Sequence, residues 1–205
     1  TGEAIDDYLI WELCKQRGIH RMIEKDSEDG ERILEEVIDP VTKEYESENY
    51  SPEEKIDLIR EISGNPTHKI EKFRNLSWEK GEASSLKLGT TLPRVGDLPP
   101  EIITGKLPEV VKFVENTDPQ EYRSVEYIRN LVEVPEILNE FSALVISPGE
   151  IIRQPERMRR VHGKEEWEIA EVWGAVHDAN HRTIARLIAE DHESVNCFVG
   201  RRPED

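Results

Sequence analysis

The sequence predicts a mixed α/β fold, with a small mixed sheet that follows a helical N-terminal extension. Three observations predict it. Helix start and stop signals succeed one another through the first 80 residues, among them Ser51-Pro52-Glu53-Glu54, Gly18 and Gly64. Gly, Thr and Pro then crowd residues 81–108, which reads as a junction of loop and short extended pieces. Runs with strand character, at 143–146, 167–173 and 195–199, come only after it. The expected division is a helical region, 1–80, and an α/β domain, 81–205.

Taken in order, 6–16 places Leu9, Leu13 and Cys14 loosely on one side of a helix that Gly18 stops. Residues 31–37 repeat the spacing with Ile33, Leu34 and Val37, ending before Pro40. Ser51 can cap a helix, Pro52 suits its first position, and Glu54 completes a capping box. Asn65-Pro66-Thr67 opens the next helix, through Ile70, Phe73 and Leu76. Beyond the junction, with short strands at 85–90 and 101–104, helices are expected at 108–116, at 119–132 with Asp118 as cap, and at 135–141. Residues 143–146 read as a buried strand closed by Ser147-Pro148-Gly149. The half-buried strand at 167–173, a helix at 180–189 and a last strand at 195–199 complete the chain.

The charge is lopsided. The 205 residues carry 27 Lys+Arg against 44 Asp+Glu, a net charge of −17. Residues 1–60 hold 18 acids and 8 bases, and 101–150 hold 10 and 4, whereas 151–205 hold 11 and 9. The acidity argues against coating DNA or RNA, because neutralising phosphates needs a basic face. A specific DNA role would have to reside in the acidic N-terminal helices. The last quarter is nearly neutral, so one small anion is repelled least there. No apolar run approaches the roughly 20 residues of a membrane helix, and no leader peptide is visible. Cys14 and Cys197 form neither a disulfide framework nor a zinc motif. The expectation is an acidic, soluble, cytoplasmic protein.

One segment carries chemistry. Between a strand and the helix at 180–189 lies His177-Asp178-Ala179-Asn180-His181-Arg182-Thr183. A strand entering a helix through a tight turn exposes free N–H groups and the positive end of the helix dipole, a natural phosphate seat. His181 and Arg182 add donors, Thr183 a hydroxyl, and Asp178 a cap or a carboxylate for Mg2+.

Residues 165–201, EEWEIAEVWGAVHDANHRTIARLIAEDHESVNCFVGR, resemble the core motif of the ParB/sulfiredoxin-like superfamily. That motif runs strand, Asp-Gly-x-His-Arg, helix, strand. Here it is Asp178-Ala179-Asn180-His181-Arg182. The resemblance implies a small α/β domain that binds ADP or ATP, with Mg2+, through Asp178, Asn180, His181, Arg182 and Thr183. It also implies a possible phosphotransferase acting on a small hydroxyl compound, as in the free serine kinases. A glutamate would then act as base, and Glu101 and Glu150 are the candidates. The alternatives are a nucleotide-sensing adaptor that docks a protein partner through its Glu-rich helices, or a ParB-like DNA-associated protein. Two departures matter. Ala179 replaces the usual Gly, at a cost of roughly 1 kcal/mol if the position needs positive φ. Asn180 stands where sulfiredoxins carry their reactive Cys, which argues against sulfinic acid reduction. The same five residues are also similar to the Asp-Gly-Asn-Gly-Arg loop of Fic-type nucleotidyl transferases. Those need a His where this chain has Gly174 and a second Arg where it has Ala185.

Overall fold

The computed structural model describes residues 2–25, 29–91, 105–153, 168–190 and 193–204. The N-terminal region is helical: α1 (Gly2–Gln16), α2 (Ile19–Lys25), α3 (Gly30–Ile33), α4 (Asp39–Glu48), α5 (Pro52–Ile62) and α6 (Pro66–Asn75). Gly18, at φ +84, turns the chain between α1 and α2. The capping box forms as its residues dictate. The Glu54 N–H donates to Ser51 Oγ at 3.3 Å, and the Ser51 N–H donates to Glu54 Oε2 at 2.7 Å. Pro40 does not end a helix. A π-helical turn, Leu34–Ile38, joins α3 to α4 with helical backbone throughout, and Pro40, which has no N–H to donate, follows just after that widened turn.

Sheet structure begins at residue 77, inside the segment assigned to the helical region. The first strand, β1 (Ser77–Ser84), is followed by a 3-10 turn, Ser85–Lys87, and β2 (Leu88–Thr90). Then come α7 (Leu107–Asn116), α8 (Arg123–Val132), α9 (Pro135–Leu138), β3 (Ala143–Ile146), β4 (Gly149–Arg153) and β5 (Glu168–Val172). The chain closes with β6 (Gly174–Asp178), α10 (Asn180–Glu190) and β7 (Ser194–Arg201). The helix expected from residue 119 starts four residues later, because Asp118 spends its carboxylate on a turn, accepting from the Gln120 N–H at 2.9 Å. The expected strand at 101–104 lies outside the described residues.

Five strands form a mixed sheet in the order β1-β7-β3-β6-β2, while β4 and β5 form a separate antiparallel ribbon. The pairs β7/β3 and β6/β2 are parallel, and β1/β7 and β3/β6 antiparallel. Inner strands are apolar on both faces, which explains the unbroken run Ala143-Leu144-Val145-Ile146. The fold is thus mixed α/β with a helical N-terminal region. One apolar core runs from Ala4 to Val199. Ring contacts carry it across the junction: Tyr8 to Phe73 at 5.5 Å, Phe73 to Trp78 at 5.8 Å, and Trp11 to Phe141 at 5.2 Å. No described helix is long and apolar enough to cross a membrane.

Two substitutions test this packing by denaturant unfolding. Ser51→Ala, which removes the cap, is expected to cost about 1 kcal/mol. Gly149→Ala is expected to cost about 3 kcal/mol, because the added Cβ would overlap the Ala175 backbone nitrogen, which cannot swing away.

Candidate functional site

The inner strand β6 ends at Asp178 and α10 begins at Asn180, so a single residue makes the turn. That residue is Ala179, at φ +68. This left-handed conformation favours Gly, and Ala adopts it at a strain of about 1 kcal/mol. Because β2 runs parallel to β6, with Thr90 opposite Val176, the end of β2 stands beside the start of α10. Asn180 fastens them together. Its Oδ1 accepts from Thr90 Oγ1 at 2.5 Å and from the Thr91 N–H at 3.2 Å, while its Nδ2 donates to Thr91 Oγ1 at 2.9 Å.

An open cavity of about 710 Å³ lies over this turn. The turn contributes His177, Asp178, Ala179, Asn180, His181 and Arg182 to its lining. The opposite wall comes from the helical region: Trp11 and Lys15 of α1, His20 and Glu24 of α2, and Lys69 of α6. Arg123, Ser124 and Tyr127 of α8 complete it with Thr91. Four lining residues are basic (Lys15, Lys69, Arg123, Arg182) and two acidic (Glu24, Asp178), a balance opposite to that of the chain. Both α8 and α10 start at the cavity. No side chain caps α8, whose first turn holds Glu126, while the first turn of α10 holds no acid, so the positive end of the α10 dipole is the one left without a carboxylate of its own.

The site residues expected from sequence fall into different roles. Asp178 lines the cavity, 3.5 Å from Arg182 Nη2 and 3.8 Å from Lys69 Nζ. His181 lines it edge-on to Tyr127, ring centroids 5.4 Å apart. Arg182 is no exposed clamp. It is 5% exposed, with its guanidinium carbon 4.2 Å from the Trp11 ring centroid and 5.2 Å from that of Phe141. Thr183 is buried beneath the turn and does not line the cavity. Glu150 lies exposed on β4, opposite Glu171 of β5, away from the cavity. Glu101 lies outside the described residues.

The cavity walls strain several polar groups. Burial opposes the charge of Arg182, and Asp178, Tyr127 and Asp7 offset that opposition. Burial raises the pKa of Asp7, against the Ser142 N–H that donates to it at 3.1 Å and the field of Arg182. Arg182 Nη1, His20 Nδ1 and Tyr127 Oη are buried without a hydrogen-bond partner among the described residues. Burial, then the Lys15 ammonium, hold the His20 pKa below its usual 6.5, while Glu24 pulls the other way. The sequence reading missed Trp11, Lys15, His20, Glu24, Lys69 and Arg123. The pairs Trp11/Lys15 and His20/Glu24 do stand four apart, each on one helix face. Such spacing also marks ordinary solvated faces, so it did not single them out.

Two predictions follow from these environments. A histidine with a depressed folded pKa stabilises the fold above its unfolded pKa and loses that contribution as pH falls below it. Unfolding free energy should therefore fall from about pH 6.5 downward, and His20→Phe should flatten that limb in pH-dependent denaturation. Arg182→Ala would take from Asp178 its buried partner and from Asp7 the nearby positive charge, and would open a void between Trp11 and Phe141; it is expected to cost about 3–5 kcal/mol, read as a lowered unfolding midpoint without any ligand. No family model matches this chain, and no curated protein or solved structure shows significant similarity to it.

Proposed function

We propose that this protein binds a nucleotide, ADP or ATP with Mg2+, through its phosphates at the start of α10. One observation carries the reading: in a chain of net charge −17, four basic side chains gather at a cavity onto which the first turn of α10 opens. The ParB/sulfiredoxin-like motif at Asp178–Arg182 supports it. Phosphate oxygens would take the free N–H groups of the first turn and the side chains of His181, Lys69, Lys15 and Arg123. Arg182 would act from beneath, as fixed charge in the cavity floor. Mg2+ is usually held by one or two carboxylates together with substrate phosphates. The cavity offers two, Asp178 and Glu24, and no cluster of three metal-ligating side chains exists among the described residues. The donor set therefore fits a metal that arrives on the nucleotide, where it would neutralise phosphate charge.

The reading extends to phosphoryl transfer to a small hydroxyl compound. With Glu150 remote, the carboxylate placed to serve as base is Glu24, which makes no hydrogen bond or ion pair among the described residues. It would take the acceptor's hydroxyl proton as the oxygen bonds to the terminal phosphorus and the bridging P–O bond breaks, releasing ADP.

Calorimetry with ADP, ATP, AMP and inorganic phosphate tests the binding. ADP should bind, and His181→Ala and Lys69→Ala should each weaken it about tenfold. No binding by any of the four at about 1 mM would overturn the proposal. If a panel of hydroxylated metabolites reveals turnover, Glu24→Gln should lower kcat at least a hundredfold and leave ADP affinity intact. Binding without turnover across that panel would leave a nucleotide sensor.

A further inference from the structure

The five-stranded sheet ends in β1 on one side and β2 on the other. β2 is three residues long, and Lys106 meets it in an isolated antiparallel bridge at Gly89. β1 runs for eight residues and, among the described strands, pairs only with β7. Among the described residues, no backbone group bonds to its outer side. Its middle, Glu79-Lys80-Gly81-Glu82, is exposed. An open edge of this length is a template for a further strand, and charged side chains commonly blunt it. Here the order of the charges makes the edge complementary to itself. Gly81 adds a second observation. Glycine weakens a strand and often marks a place where another backbone comes close. No described atom beyond its chain neighbours lies within 4 Å of the point where a Cβ would stand, and its φ is not positive. The fold of the single chain therefore does not ask for glycine at this position.

We propose that β1 is the joint of a symmetric dimer, in which the β1 edges of two copies pair antiparallel across a two-fold axis at Gly81. Residues opposed in a sheet point to the same face. A two-fold axis between two identical strands therefore passes through a residue, not between two. An axis at Glu79, Lys80 or Glu82 sets that charge directly against its own copy, which is destabilising. Within the exposed middle, only the axis at Gly81 brings opposite charges together. Lys80 then faces the partner's Glu82, and Glu82 faces the partner's Lys80. The two glycines meet on the axis, where no side chain stands between the strands. Glu79 falls opposite the partner's Ala83, with no like charge directly across. Within each copy, Lys80 Nζ lies 5.7 Å from the Phe198 ring centroid, and the Asn196 amide donates to Glu82 at 3.0 Å. Both side chains are thus steadied on one face of the β1/β7 pair. The edge also lies in the least acidic stretch of the chain, residues 61–100, which hold 5 acids and 6 bases. Two chains of net charge −17 repel each other least there. A joint of one strand pair is small, so the association is weak and reversible.

Sedimentation equilibrium of the full chain, from about 0.01 to about 1 mM, tests this without any ligand, so the outcome is independent of nucleotide binding. The wild type should pass from monomer to dimer across that range. Lys80→Glu and Glu82→Lys should each weaken the dimer about tenfold or more, because each sets two like-charged pairs across the axis. The double variant Lys80→Glu/Glu82→Lys exchanges the charges and should restore the dimer. Glu82→Lys makes the chain less acidic, so relief of general repulsion would tighten association, whereas the Gly81 register weakens it. That contrast ties the effect to the joint. A wild type that stays monomeric up to about 1 mM overturns the proposal and leaves the edge to a strand of another protein or to none. A dimer indifferent to both single variants overturns it, because a different surface then joins the copies. So does a double variant that associates no more tightly than the single ones. Should Glu82→Lys lose its Asn196 contact and not fold, Lys80→Glu and Lys80→Arg decide: the first should dissociate the dimer and the second should keep it, and equal effects overturn the proposal.

Discussion

The buried guanidinium of Arg182 ties the molecule together. It stacks against Trp11 of α1 and Phe141 before β3, and it pairs with Asp178 at the end of β6. Each of these belongs to a different part of the chain. Taking a charge out of water costs several kcal/mol, and only a full set of partners makes that tolerable. Flat aromatic faces suit the planar, weakly hydrated guanidinium better than they would an ammonium. The cation thus demands that α1, the β3 approach and the α10 turn meet in one arrangement, and the cavity is what that arrangement leaves open above it.

The helical region is for this reason part of the site. Its helices carry much of the chain's acid on their outer faces, yet Lys15 and Lys69 turn inward. This segregation lets a strongly acidic chain keep a locally basic cavity. The repulsion is spread over exposed carboxylates, where water screens it, while the basic groups sit close together around the turn. The α6 lysines extend the same logic, reaching from the helical region to Asp178 and His177 at the strand end.

How much of this was legible varied with the range of the interaction concerned. The capping box at Ser51 needs only residues three apart, and it forms as read. The helix start after Ala179 was likewise local, but the strand entering the turn was misplaced: residues 167–173 read as that strand, whereas 168–172 form β5 of the separate ribbon and β6 enters the turn, set there by its pairing with β2 and β3. β1 was hidden because its exposed, charged residues (Glu79, Lys80, Glu82) offer no alternation, and what makes it a strand is its pairing with β7 more than a hundred residues later. Arg182 was misjudged for a related reason. Position in a helix's first turn implied exposure, and only the arrival of Trp11 and Phe141 buried it.

The sequence by itself determined the α/β class, the helical start of the chain and the start of the helix at Asn180. Those rest on propensities, caps and dipoles, which act over a few residues. The tertiary structure decided which side chains surround that turn. It moved Arg182 from ligand to foundation, left Glu150 remote on the ribbon, and brought Lys15, Glu24, Lys69 and Arg123 to the opening. Burial and long-range charge are properties of packed surfaces, and no window of sequence contains them.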